Sequence, residues 1–108
     1  MNSQELETAV RLGLSLVILV WRDDGYGVIR SKQMARFGRT SSVEFGNPDL
    51  VSYANSFGAR GVRVAEPSEL RPILAQAFTS AVPVGIDCTV DYSENLRLTE
   101  RLKSLPPA

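Results

Sequence analysis

Between Trp21 and Gly27 the chain reads WRDDGYG. An apolar run ends on two adjacent carboxylates, Asp23 and Asp24, and two glycines follow around a tyrosine. The 108 residues contain no histidine and one cysteine, Cys88. That excludes, within this chain, a Ser-His-Asp or Cys-His triad, a cysteine-cluster metal site and an internal disulfide. A metal held here must be held by oxygen, which points to Mg²⁺ or Ca²⁺. The Asp23 carboxylate and the Gly25 carbonyl, two residues on, would make two hard oxygen ligands for Mg²⁺, which takes few protein carboxylates and fills its sphere with phosphate and water. Gly27 lets the backbone approach a ligand, and a helix starting there offers unpaired N–H groups to an anion. Asp-Asp-Gly is also good turn and N-cap chemistry. Residue types and spacing therefore leave two readings open: a plain strand-to-helix turn, and a metal or phosphate site.

The flanking segments say what positions this turn. Leu14 to Trp21, LSLVILVW, is continuously apolar and rich in β-branched residues, as a strand buried on both faces of a parallel sheet would be. Upstream, Asn2 and Glu5 have capping-box spacing before a helix with Leu6, Ala9 and Val10 on one face and Gly13 as its stop. Downstream, a helix runs from about Gly27 to Phe37, and GRTSSVEFG is a polar loop. In NPDLVSYANSFG, Asn47 is the expected cap, Pro48 the first helical residue, Gly58 the stop, and Leu50, Val51, Ala54 and Phe57 the inward face. ARGVRVA and VPVGIDCTV read as strands. Between them EPSELRPILAQAFTS reads as a helix with Leu70, Ile73, Leu74, Ala77 and Phe78 inward, bent slightly at Pro72. DYSENLRLTERLKSLPPA reads as a loop, a short helix and a frayed tail. Strands alternating with helices predict one α/β domain of three layers, a parallel sheet flanked by helices. Trp21, Tyr53, Phe57 and Cys88 read as packing residues, Asp24 as a turn or cap acid, and Asp91 and Glu94 receive no role.

Twelve Lys+Arg balance twelve Asp+Glu, which argues against nucleic acid as a partner. The basic cluster Arg30, Lys32, Arg36 and Arg39 reads as a solvated helix face and loop. The opening MNSQELETAVR is acidic and amphipathic, unlike a signal peptide, and the longest apolar run is too short to span a bilayer. No membrane partner and a cytoplasmic location are expected.

NSQELETAVRLGLSLVILVWRDDGYGVIRSKQ, EFGNPDLVSYANSFGARGVRV and PVGIDCTVDYSENLRL, taken in order, resemble the diphosphate-binding domain of thiamine-diphosphate enzymes, in particular catabolic acetolactate synthases. The resemblance implies that residues 1–108 form the C-terminal part of a thiamine-diphosphate-binding domain, incomplete at its N-terminal side. It implies thiamine diphosphate and Mg²⁺ as cofactors and a 2-oxo acid such as pyruvate as substrate. Asp23 would be a metal ligand and the Gly25 carbonyl another, Tyr26 and Gly27 would run along the diphosphate, and Ile29 and Gln33, one helical turn apart, would face the thiazolium and substrate. The Gly-Asp-Gly half of the family's motif and its activating glutamate do not occur in this sequence. The expectation is therefore a segment of an acetolactate synthase-type carboligase, inactive as an isolated chain and binding its cofactors weakly. A standalone, non-catalytic α/β module that self-associates as a homodimer or larger assembly is the other reading, with a segment of a sibling decarboxylase beside it.

Overall fold

A computed structural model describes residues 2–94, Arg97 and Arg101. Most of the short helix expected near the C-terminus lies outside the described residues; Arg97 and Arg101 are helical. The chain divides into two compact units, Met1–Arg22 with Asn47–Thr89, and Asp23–Gly46 with Val90–Ala108.

The first unit holds the sheet. Its elements are α1 (Glu5–Arg11), β1 (Val17–Arg22), α3 (Leu50–Ser56), β2 (Arg60–Val64), a 3₁₀ turn at Pro67–Glu69, α4 (Leu70–Ala77) and β3 (Val84–Thr89); α2 (Gly27–Phe37) belongs to the second unit. All three strands are parallel, in the order β1-β3-β2. Val17 lies opposite Val84 and Trp21 opposite Cys88 on one side, and Arg60 opposite Val84 and Val64 opposite Cys88 on the other. Alternation along the central strand then sorts its residues between two faces. Val84, Ile86 and Cys88 join Ala77, Leu70, Ile73 and Leu74 of α4, together with Val17, Val62 and Val64. The opposite face presents glycines where α3 comes close. A Cβ on Gly61 would run into the Val51 backbone, and one on Gly85 would stand 3.3 Å from the Ala54 Cβ. Helices thus cover both faces, as the sequence predicts.

Asp87 is buried in the middle of the central strand, 3% exposed. Arg22 Nε of β1 donates to one carboxylate oxygen and Arg63 Nε of β2 to the other, each at 3.0 Å. Arg22 also donates to Thr89 Oγ1 at 2.8 Å, and Arg63 reaches Asp49 Oδ1 at 3.0 Å. A buried carboxylate is tolerated only when paired and hydrogen-bonded, and here each outer strand supplies one guanidinium.

Several sequence expectations need correction. β1 is an outer strand, so one of its edges has no ladder partner among the described residues. Ile18, Leu19 and Val20 are exposed and Trp21 is 67% exposed, so Trp21 is not a packing residue in this structure. The strand buried on both faces is β3. The α1 helix begins at Glu5 behind Gln4, and Asn2 contributes only its carbonyl, to the Glu5 N–H at 3.0 Å. Its end is as expected: Gly13 has φ 63°, and the Gly13 and Leu14 N–H groups bond back to Val10 and Ala9 in a Schellman motif. The cap of α3 is Asp49, not Asn47, and Pro48 precedes the helix; the Asp49 carboxylate accepts from Val51 N at 3.1 Å and Ser52 N at 3.4 Å. Pro72 falls in the first turn of α4, where its missing N–H costs little. Phe78 is 72% exposed because α4 ends at Ala77 and the chain turns away. Cys88 is a core residue; burial, and then the Asp87 charge, push its thiol above its ordinary value.

The Ser52 hydroxyl, then the Ser52 and Val51 N–H groups and the Arg63 charge, hold the Asp49 carboxyl below its ordinary value of 3.8. A lowered carboxylate contributes stability that is complete above the ordinary value and lost as pH falls through the lowered one. Urea midpoints of the parent chain and of Asp49→Asn should differ at neutral pH and converge below pH 3.8; a pH-independent difference would show that the charge is not what matters. Asp87→Asn should lower unfolding stability by about 2–4 kcal/mol, since the ion pairs of Arg22 and Arg63 to a buried carboxylate are lost, moderated because Arg63 is half in water and keeps Asp49. A loss below about 0.5 kcal/mol, at the level of ordinary surface substitutions, would show that water replaces the carboxylate at no cost.

Candidate functional site

The second unit carries the turn. Asp24 takes φ 54°, a left-handed conformation that aspartate tolerates better than most residues, and so acts as the turn acid. Its carbonyl accepts from the Phe45 N–H at 3.1 Å, and the Tyr26 N–H donates to the Val43 carbonyl at 2.8 Å. These two bonds form an antiparallel bridge between Gly25 and Glu44, which straps the expected polar loop to the turn. Val43 is buried beneath it, and the Tyr26 and Phe45 rings pack at a tilt with centroids 4.8 Å apart.

Both glycines leave room for what lies on them. A Cβ on Gly25 would strike the Arg30 guanidinium and stand 2.7 Å from the Val43 carbonyl; one on Gly27 would stand 2.7 Å from Asp23 Oδ2. The Asp23 carboxylate therefore rests on the bare α-carbon of the first residue of α2. Among the described residues no N–H donates to the Gly25 carbonyl, and Asp23 has neither a hydrogen-bond nor an ion-pair partner. α2 spans Gly27–Phe37 as predicted, without a side-chain cap at its N-terminus, and ends on Gly38 at φ 66°. Uncapped N–H groups and the helix dipole favour an anion at that end.

Asp23, Gly25, Tyr26, Gly27 and Ile29 line one cleft of about 350 Å³ together with Val28 and Tyr92. Gln33 is not among its lining residues: the Gln33 amide accepts from the Ser41 N–H at 2.8 Å and donates to the Ser41 carbonyl at 3.2 Å, so it braces the loop instead. A second cleft of about 350 Å³ shares Asp23, Gly27 and Tyr92 and adds Arg30, Ser31, Met34 and Val90–Ser93. Tyr92 and Arg30 are the residues that sequence reasoning did not place at the site. The sequence signal for Tyr92 was the Asp91–Ser93 turn, where Asp91 accepts from the Ser93 N–H and hydroxyl. Arg30 was grouped with a solvated basic face. Lys32, Arg36 and Arg39 are indeed exposed, whereas Arg30 is half-buried.

The donor set suits a hard cation only in part. One carboxylate and one unclaimed carbonyl match what Mg²⁺ takes from a protein when phosphate and water supply the rest. No group of three or more acidic, Cys or His side chains converges among the described residues. No described helix is long and apolar enough to cross a membrane.

Residues 1–88 match the family described as "Thiamine pyrophosphate enzyme, C-terminal TPP binding domain". The chain is 47% identical to acetolactate synthase of Bacillus subtilis over 97 residues, covering 90% of this chain and 17% of that protein. It is 38% identical to the catabolic acetolactate synthase of Raoultella terrigena, covering 94% of this chain and 18% of that protein. In fold it is similar to an X-ray structure from Mycobacterium smegmatis described as a thiamin diphosphate-dependent enzyme, with a TM-score of 0.64 at 22% identity over 82% of this chain and 15% of that one. This chain thus spans under a fifth of the relatives it matches. A parallel sheet between helices, a strand that ends in a carboxylate and a glycine cradle, and these matches together lead to one conclusion: the chain belongs to the thiamine pyrophosphate enzymes, as a C-terminal TPP-binding domain related to acetolactate synthases.

Proposed function

We propose that this chain holds the diphosphate end of thiamine diphosphate, through Mg²⁺, in an acetolactate synthase-type carboligase. The observation that carries this reading is the Asp23 carboxylate. It lies without a partner on the bare α-carbon of Gly27, at the uncapped start of α2, in a cleft it shares with Gly25, Tyr26 and Ile29. Asp23 and the Gly25 carbonyl would hold the metal, and Tyr26 and Gly27 would flank the diphosphate. Ile29 would shape the thiazolium side, and Gln33 would steady that wall through the loop at Ser41. When bound, thiamine diphosphate supplies the carbon that decarboxylates a 2-oxo acid such as pyruvate and passes the remaining unit to a second one. The chain's own part is to place the diphosphate and exclude other approaches to it. Completion of the site by groups beyond these residues is part of the proposal, since one carboxylate and one carbonyl hold Mg²⁺ weakly.

Calorimetric titration of the chain with thiamine diphosphate and Mg²⁺ tests the reading. Binding is expected at high micromolar to millimolar levels, and both Asp23→Ala and Gly27→Ala should weaken it by about tenfold or more. The second variant should act because its methyl group displaces the carboxylate. Binding that is indifferent to both substitutions, or no binding at millimolar ligand, would refute the reading for this chain.

A second reading, self-association through β1, rests on the exposed Ile18, Leu19, Val20 and Trp21 of that outer strand. An unpaired apolar edge takes cover from a neighbouring segment or a second copy. Sedimentation should show a dimer or larger species at micromolar concentration, and Val20→Lys should shift it toward monomer; a clean monomer for the parent chain would count against it.

A further inference from the structure

Arg30 is the fourth residue of α2. Its Nε is buried and has no hydrogen-bond partner among the described residues, and its guanidinium lies against Gly25. Buried donors are almost always satisfied, so an unclaimed one on a residue that lines a cleft points to a missing acceptor. That cleft is also lined by Asp23, Gly27, Ser31, Asp91 and Tyr92. Its carboxylates are Asp23 and Asp91. Asp91 is spent on Ser93, with its N–H at 2.9 Å and its hydroxyl at 3.0 Å. Asp23 and Arg30 form no ion pair, with each other or with any described residue. Two opposite charges thus line one cleft without neutralising one another. A ligand complementary to both must itself carry both signs, as a divalent cation bound to a polyphosphate does.

We propose that Arg30 is a diphosphate-binding residue. Its guanidinium N–H groups donate to phosphate oxygens while Asp23 takes the metal ion. Arginine suits this task because its planar fork matches phosphate geometry and its charge persists at every working pH. The absence of a side chain on Gly25 leaves the space that the fork occupies. The inference rests on the reading of this site as one for thiamine diphosphate, and extends it to a side chain that the basic-face interpretation had set aside.

The test is calorimetry on the full 108-residue chain, with three probes: Mg²⁺ with thiamine diphosphate, Mg²⁺ with inorganic diphosphate, and thiamine alone. Arg30→Gln should weaken both phosphate-bearing probes by about tenfold or more, a charged hydrogen bond's worth. Arg30→Lys, which keeps the charge and loses the fork, should recover part of that loss. Thiamine alone should be indifferent to both substitutions. If Arg30→Gln leaves the phosphate probes unchanged while Asp23→Ala weakens them, Arg30 has no such role and the cofactor reading stands. If inorganic diphosphate binds in an Arg30-dependent way but thiamine adds nothing to its affinity, the cofactor reading fails and Arg30 remains an anion-binding residue. If Arg30→Gln and Arg30→Lys lose binding equally with a fall in melting temperature, the side chain is structural and the proposal is overturned. No binding of either phosphate probe by the parent chain overturns both.

Discussion

A single buried carboxylate governs the sheet. Asp87 sits in the central strand and takes one guanidinium from each outer strand. Desolvating a carboxylate is expensive, and the mutual attraction of the three groups offsets that cost only in one arrangement. The arrangement specifies register. A slip of one residue along β3 would turn Asp87 toward the apolar face of Ile86 and α4 and would leave Arg22 and Arg63 opposite a hydrophobic side chain. The packing on the other face agrees. Gly61 and Gly85 let α3 approach until its backbone touches the sheet, and the same register brings Arg63 within reach of Asp49, the cap of α3. Strand pairing, helix approach and helix capping are thus all compatible with one register, in which the charge network is satisfied.

The second unit applies a different economy. Its turn places charged groups on bare backbone, Asp23 over Gly27 and Arg30 over Gly25. Neither charge is neutralised within the described residues. The first unit buries its charges and satisfies them, whereas the second leaves two of opposite sign open to a cleft. That contrast is what supports reading the second unit's charges as groups for a ligand and the first unit's as a structural ion-pair network. The bridge between Gly25 and Glu44 and the bonds from Gln33 to Ser41 fix the loop beside the turn.

β1 joins the two themes through its sequence. It carries the composition of a doubly covered strand and stands at the edge of a three-stranded sheet. The chain spans under a fifth of its acetolactate synthase relatives, and an apolar strand of this kind is stable in water only when something covers it.

Local chemistry made much of this protein legible from its residues. Gly27 and Gly38 bound α2 because a bare turn and a left-handed cap are short-range demands. The parallel α/β class followed from apolar β-branched runs alternating with amphipathic ones, and the convergence of Asp23, Gly25, Tyr26 and Gly27 followed from their closeness in the chain. Other features needed the third dimension. That Asp87 would bind Arg22 and Arg63 depends on strand order, which no local pattern encodes. Asp49 rather than Asn47 caps α3 through the Val51 and Ser52 N–H groups, and only the fold adds Arg63, fourteen positions away, to the same carboxylate. Arg30 looked like one of four surface cations until the fold laid it on Gly25, and Trp21 looked like core until β1 proved to be an edge. Residue type and periodicity determine which elements form and how they begin and end, because those forces act within a turn or two. Which charges are buried together, and which are left unpaired at a cleft, is decided only when distant segments share a sheet or a cleft.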